Sequence, residues 1–289
     1  MDAFLEFLGQ LTINWRLVGI MAAGFTMLAV TGWVRGWHRV LTERMGKGVA
    51  ATLVLLTINS ALIPFAMAGV WALQNLYEVW RLPVIPPSFW DGVPALLVVV
   101  IAVVAFDFMD YVSHRLMHLP WLWPIHAVHH SDHDVNAFTT FRVHVLEVAF
   151  MKLSYVVGLS WLGVTPEAAG LGLVFLTLHN MYVHMDIDVD HGRLNWLIAS
   201  PRFHRWHHAD EPVAYGKNLA NLVPLWDMLF GTYYVPGKCE KPTSAEGVPH
   251  ANVPALMLFP MVEWFRMATK SAERRLSASK QGGMTGTSV

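Results

Sequence analysis

The chain has 289 residues, 54% of them hydrophobic and only 14% charged, with a mean hydropathy of +0.40; soluble domains carry about 25% charged residues, so an ordinary soluble enzyme is excluded. With 20 basic and 21 acidic residues, and 15 histidines counted neutral, the net charge is −1, which gives no field for holding nucleic acid. A single cysteine, Cys239, rules out an intrachain disulfide, an iron–sulfur centre and a thiolate zinc site. Any metal chemistry must therefore run on histidine and carboxylate.

In chain order, the first apolar run is Leu17 to Val34, 18 residues without a charge, and the second is Val49 to Leu73, 25 residues that include Pro64. Both are long enough to cross a bilayer. No basic region precedes the first run, so it reads as a retained helix and not as a signal peptide. The loop between them holds Arg35, Arg39, Arg44 and Lys47, whereas the next loop holds only Arg81 and the first 16 residues only Arg16. The positive-inside rule puts the first loop in the cytoplasm. A third span, about Val93 to Tyr111, then delivers His114 to that same face. Two further apolar arms, Val145 to Gly163 and Ala168 to His184, flank the turn signal Val164-Thr-Pro-Glu167 and form a hairpin that leaves and returns. The hairpin contains Glu147 and Lys152, and each arm is near the lower limit for spanning, so partial penetration is an open alternative. Pro254 to Ala268 suggests an interfacial helix, and the Ser-, Gly- and Lys/Arg-rich stretch from Ser271 a disordered tail. The expected division is residues 1–92 for the N-terminal transmembrane helices, 93–240 for a histidine-rich domain, 241–270 for the interfacial region and 271–289 for the tail.

Thirteen of the 15 histidines fall between residues 114 and 208, eight of them in three clusters: His114-Arg-Leu-Met-His118, His126-Ala-Val-His129-His130 and His204-Arg-Trp-His207-His208. On a helix, positions i, i+3 and i+4 share a face, so each cluster offers imidazoles at metal-ligand spacing. Eight clustered imidazoles cannot all be protonated, and leaving buried ring nitrogens unpaired costs roughly 1–3 kcal/mol each. A pair of ions satisfies them. Asp107 and Asp110 fall on the same helix face as His114 and His118, so Asp110 is expected to accept the N–H of a ligating ring and fix its tautomer. Ligand type alone leaves zinc, copper, nickel and iron open. Two redox metals beside an apolar pocket suit dioxygen activation against a C–H bond. A divalent-metal transporter, which needs ligands near the midplane, and a structural zinc protein are the rival readings.

These clusters resemble the HxxxH, HxxHH and HxxHH boxes of the fatty acid hydroxylase and sterol desaturase superfamily. The likeness runs beyond them. Asp110-Tyr-Val-Ser-His114-Arg-Leu-Met-His118 resembles the family's first box with its preceding acid, and Trp121-Leu-Trp-Pro-Ile-His126 its aromatic approach to the second. Asn136, Thr139, Arg142, His144 and Glu147 resemble the residues after that box. Pro201-Arg-Phe-His204 leads into the third, and Lys217-Asn218, Leu222, Pro224, Asp227 and Leu229-Phe-Gly-Thr-Tyr-Tyr234 resemble the closing signature; the match covers about residues 105 to 236.

The resemblance implies an all-α integral membrane protein with a histidine-rich cytoplasmic dimetal site, of the bacterial inner membrane before the endoplasmic reticulum. Its activity would be a dioxygen-dependent, non-haem diiron lipid hydroxylase acting on a fatty-acyl, sterol or related lipid, with desaturation on the same site as the alternative. It implies two iron ions, replaceable by zinc on isolation, and dioxygen as cosubstrate. Since no dinucleotide fingerprint is present, electrons would come from an external reductase with a ferredoxin or cytochrome. The implied ligands are His114, His118, His126, His129, His130, His184, His204, His207 and His208, His184 matching the family's late hairpin histidine. Asn180 stands where some relatives carry another, and for His179, about 100° round the helix from that position, a packing or hydrogen-bonding role and a ligand role are both open. Asp110, Asn136, Arg142, His144 and Asn218 are the implied supporting catalytic residues. His133 and His191 read as loop histidines, and His38 and His250 lie outside the match.

Overall fold

The computed structural model describes residues 15–284. Among the described residues there is no strand, and the apolar runs form helices: α1 (Trp15–Arg35), α2 (Glu43–Val79), α3 (Ala95–Met117), α4 (Val145–Leu159), α5 (Pro166–Val183), the short α6 (Pro201–His207) and α7 (Val253–Met284). The expected all-helical architecture is present. Among the described residues four segments are long and apolar enough to cross a membrane: Val18–Arg35, Glu43–Ile63, Ala95–Met117 and Val145–Leu162. The return arm α5 is not among them, as expected from an arm near the lower limit.

α3 is the central helix, packed between α4 and α5, with α2 on the far side of α4 and α1 against α5. Its buried face, Ala102, Val103 and Phe106, meets Leu176 of α5 and Leu222 and Val223 of the later loop. The hairpin reaches along the bundle as far as the start of α3. Its tip is tied to the loop before α3 by the Ile85 N–H donating to the Trp161 carbonyl at 2.8 Å and the Trp90 indole donating to the Leu162 carbonyl at 3.1 Å. Gly163 makes the turn at φ +59, and a Cβ there would stand 1.9 Å from the Ile85 carbonyl oxygen; only glycine fits.

The other end of the bundle collects the C-termini of α3 and α5 and the N-termini of α2 and α4. The basic loop between α1 and α2 lies at this end, where Arg44 pairs with Asp134 at 2.6 Å and Arg35 with Asp186 at 3.7 Å. The histidine-bearing segments and the Arg-rich loop therefore share one end, which is the parity that charge asymmetry predicts.

One expectation fails here. From Ser271 an unstructured tail was anticipated, but α7 continues to Met284. Ala272-Glu-Arg-Arg-Leu and the following Ala, Lys and Gln are strong helix formers with no proline among them, and composition counted their polarity without their propensity. Residues 285–289 lie outside the described residues. In α7 before Ser271, Leu258 and Phe265 are 57% and 71% exposed on a helix that also packs on residues 123–126.

Candidate metal centre

Each histidine box sits where a helix ends. α3 carries His114 in its last turn, with His118 as its C-cap. A helical turn over Trp123–His126 runs on through Ala127 and Val128 into a 3₁₀ turn, His129–Ser131. α5 ends with His184 as C-cap, and α6 holds His204 and His207 with His208 as its C-cap. α6 starts cleanly because the Ser200 hydroxyl accepts the Phe203 N–H and Pro201 occupies the first turn.

These ends bring all nine histidines together in two groups. His114, His118, His126, His130 and His207 form one, His129, His184, His204 and His208 the other; within each group the ligand atoms lie within 4.8 Å of one another. The ring nitrogens face inward as Nε2 atoms: His114 to His126 at 2.9 Å, His126 to His130 at 3.2 Å, His184 to His129 at 3.1 Å and His204 to His184 at 3.0 Å. Nitrogens about 2.1 Å from one ion at roughly 90–110° are about 3.0–3.4 Å apart, so these separations suit rings that would share an ion.

The outer nitrogens fix the tautomers. Nδ1–H of His114 donates to the Leu219 carbonyl at 2.7 Å, that of His207 to the Lys217 carbonyl at 2.9 Å, that of His184 to the Asn180 carbonyl at 2.7 Å and that of His126 to Oε1 of Glu147 at 2.9 Å. Each leaves an Nε2 lone pair aimed at the centre of its group. Nε2 of His118 and of His207 are buried with no protein partner, a cost that an ion removes. Burial holds His118, His126, His129, His130, His204, His207 and His208 well below the usual imidazole range, so the rings are neutral, as ligands must be. The donor set and its orphaned atoms fit two imidazole-bound ions.

The expected role of Asp110 is not what the structure shows. Its carboxylate accepts the Tyr155 hydroxyl, while His114 turns its Nδ1 to the Leu219 carbonyl, because the loop after the third box packs directly over that ring. The carboxylate that does hold a box histidine is Glu147, on α4; the signal in the sequence was a lone acid in an apolar arm. Asp107 is buried and accepts the Leu222 N–H at 2.7 Å, the Val223 N–H at 3.0 Å and the Trp226 indole at 2.9 Å. Asp227 accepts the Leu219 and Ala220 N–H groups at 2.7 and 2.8 Å. Neither carboxylate has a cation within ion-pair distance among the described residues, and both pin the loop carrying the Leu219 carbonyl through bonds to its N–H groups.

The remaining implied residues hold backbone in place. Asn136 caps the 3₁₀ turn Ala137–Phe141. His144 caps α4 and donates from Nε2 to the Met257 carbonyl at 3.1 Å. The fully buried Arg142 joins Ser131 at 2.7 Å to the Gly48 carbonyl at 3.2 Å and to the His250 carbonyl. Asn218, at φ +55, donates to the Phe203 and Tyr234 carbonyls at 2.9 and 2.7 Å. None of the four borders a cavity described below. His179 belongs to neither histidine group, His191 stacks on Tyr182 and His133 meets His250 ring to ring.

A cavity of about 340 Å³ opens on both groups, touching His114 and His126 of one and His129, His184 and His204 of the other. It continues between α3, α4 and α5 past Met151, Leu173 and Leu176, the direction from which an apolar chain would arrive. A second cavity, about 430 Å³, reaches His118, His130, His207 and His208 from the opposite side, past Trp123, Asp210 and Glu246.

The fatty acid hydroxylase family model matches residues 99–232. The chain is 34% identical over 155 residues to the ornithine lipid hydroxylase OlsE of Rhizobium tropici, covering 51% of this chain and 45% of that protein. It is 28% identical over 158 residues to the alkylglycerol monooxygenase of Homo sapiens, covering 54% and 33%. It is also 30% identical over 131 residues to a very-long-chain aldehyde decarbonylase of Oryza sativa subsp. japonica, covering 44% and 48%. The chain thus spans less than half the length of these relatives, and no solved structure matches it. The matched region holds every histidine of both groups together with Glu147, Asp107 and Asp227, and over that region the chain is similar to the fatty acid hydroxylase family.

Proposed function

We propose that the chain is an integral membrane lipid hydroxylase that inserts oxygen from dioxygen into a C–H bond of a lipid at a pair of iron ions. The observation that carries this reading is the cavity itself: a passage between membrane helices, apolar along Met151, Leu173 and Leu176, that ends on both histidine groups at once. His114, His118, His126, His130 and His207 would hold one ion and His129, His184, His204 and His208 the other. Bound there, the ions supply dioxygen activation.

The rest is done by this chain's side chains. Glu147 and the Leu219, Lys217 and Asn180 carbonyls hold protons on the outer ring nitrogens. Asp107 and Asp227 keep the closing loop at its station, and Asn136, Arg142, His144 and Asn218 act as positioning residues for the segments between boxes. Met151, Leu173 and Leu176 exclude water from the lipid chain. The names of the relatives, two of them a hydroxylase and a monooxygenase, support hydroxylation over desaturation.

We place the histidine end in the cytoplasm on the strength of the Arg-rich loop that shares it, and electrons then come from a cytoplasmic donor. The test is reconstitution of the iron-loaded protein in lipid bilayers with a reductase and ferredoxin. Oxygen uptake coupled to a lipid product heavier by one oxygen atom, ¹⁸O-labelled from ¹⁸O₂, is the expected result. Metal binding with no oxygen uptake on any cell lipid extract would return the structural-zinc reading, and metal flux into sealed vesicles the transporter.

A further inference from the structure

The cavity is not apolar throughout. One to two helical turns from the histidines its wall carries Asp110, Lys152, Tyr155 and Asn221, a set of polar groups inside a bundle of membrane helices. Such groups are expensive there and mark function. The Tyr155 hydroxyl is bound by Asp110, and Asn221 lies beside the same carboxylate. Two capacities are left over. Among the described residues no carboxylate comes within ion-pair distance of Lys152, whose ammonium lies 5.0 Å over the Tyr155 ring; its three N–H donors are free for a ligand. The Asn221 carbonyl oxygen is buried with no partner, an unmet acceptor.

A free donor and a free acceptor on one cavity wall suit a ligand group that both accepts and donates. We infer that Lys152 and Asn221 form a subsite for the polar group of the substrate, a hydroxyl or a secondary amide, which sets which carbon of the lipid meets the metal pair. The inference rests on the lipid-hydroxylase reading and names its substrate class. The ruler is short. Asp110 precedes His114 by four residues and Lys152 follows Glu147 by five, so at 1.5 Å per residue the subsite lies about 6–8 Å along the helices from the histidines, the reach of a few methylenes. A simple hydrocarbon would leave both groups unpaired, and a charged phosphate would meet Asp110 as well as Lys152. A neutral donor–acceptor group meets neither objection.

The test uses the full chain in nanodiscs, metal-free so that no turnover occurs. The probe is a hexadecan-1-ol bearing a mid-chain diazirine, photolysed and mapped to peptides of α3, α4 and α5. Competition is with hexadecan-1-ol, N-hexadecylacetamide and hexadecane. The expected result is labelling of cavity-lining peptides, displaced by the alcohol or the amide at least tenfold better than by hexadecane. Which of the two competes better identifies the source of the group. Lys152→Met and Asn221→Leu should each shrink that preference, and Lys152→Arg should restore it. Equal competition by hexadecane in the unaltered protein, or a preference surviving in both variants, would overturn the subsite. Neither outcome touches the oxygenase reading, which stands or falls separately on iron content and oxygen uptake.

Discussion

Glu147 is the sharpest point at which to strike the metal centre. Its Oε1 accepts the Nδ1–H of His126 at 2.9 Å, with both side chains almost wholly buried. His126 in turn sits centrally in the group of five, its Nε2 within 3.2 Å of both His114 and His130. Replacing the acid by leucine leaves every ligand in place and removes only the bond that fixes the His126 tautomer and raises its basicity. Losing such a partner costs about 10- to 100-fold in metal affinity, or roughly 1.4–2.7 kcal/mol. The loss should fall on one ion alone, because no member of the group of four bonds to Glu147. In a chelator titration of iron- or zinc-loaded protein, Glu147→Leu should give two steps, one shifted 10- to 100-fold and one unchanged, with Glu147→Gln in between. Asp110→Asn should shift neither, since its carboxylate serves Tyr155. A single unshifted profile for Glu147→Leu, or a shift in Asp110→Asn comparable to it, would refute the assignment of the supporting carboxylate.

Elemental analysis after anaerobic iron loading should give two ions per chain; one ion would remove the dimetal reading, whereas zinc found after aerobic purification would reflect its stronger hold on imidazole. His184→Ala should lose the ion of the group of four, while His179→Ala, outside both groups, should keep both ions; equal loss would move His179 into the site. In a Cys239→Ala background, Leu41→Cys should be labelled from the cytoplasm and Ser88→Cys from the opposite side, both positions being exposed; the reverse would put the boxes outside the cell. Acidification should destabilise the chelated protein. Seven buried box histidines resist protonation in the fold but titrate near pH 6.5 when unfolded, so the unfolded chain binds more protons and stability falls as pH drops below that value. The melting temperature should be lower at pH 5.5 than at 7.5, and an equal or higher value would contradict it.

The sequence was informative where spacing and chemistry coincide. Apolar runs became helices whose ends fall up to six residues from those expected, and the nine histidines picked out by spacing and resemblance are the nine that the fold gathers. What escaped was everything that depends on distance along the chain. Nothing local to Asp110 says that Tyr155, 45 residues on, will claim its carboxylate, or that His114 will find the Leu219 carbonyl 105 residues away. Helix periodicity put Asp110 on the correct face, and a face is about 100° wide; a hydrogen bond needs far less. Asn136, Arg142, His144 and Asn218 show a second kind of work that the motif does not spell out. Asn136 and His144 cap the starts of helical turns, Asn218 bonds the Phe203 and Tyr234 carbonyls, and Arg142 ties the Ser131 hydroxyl to the Gly48 and His250 carbonyls.

The arrangement of the boxes shows why the site needs two of the HxxHH kind. On a helix, i and i+4 differ by about 40°, whereas i+3 lies about 100° from i+4. A helix aimed between two ions therefore gives its i and i+4 rings to one and its i+3 ring to the other. That is the division seen here: His126 and His130 join the group of five while His129 joins the group of four, and His204 and His208 join the group of four while His207 joins the group of five. The two segments have exchanged roles, so both would hold each ion. The HxxxH box lacks an i+3 ring and serves the group of five alone, which leaves the group of four one ring short unless another helix supplies it. α5 does so with His184, whose Nε2 lies 3.0–3.1 Å from those of His129, His204 and His208. The lone hairpin histidine is thus the counterweight to the first box, and a hairpin that returns to the same membrane face is what the interleaved motif requires.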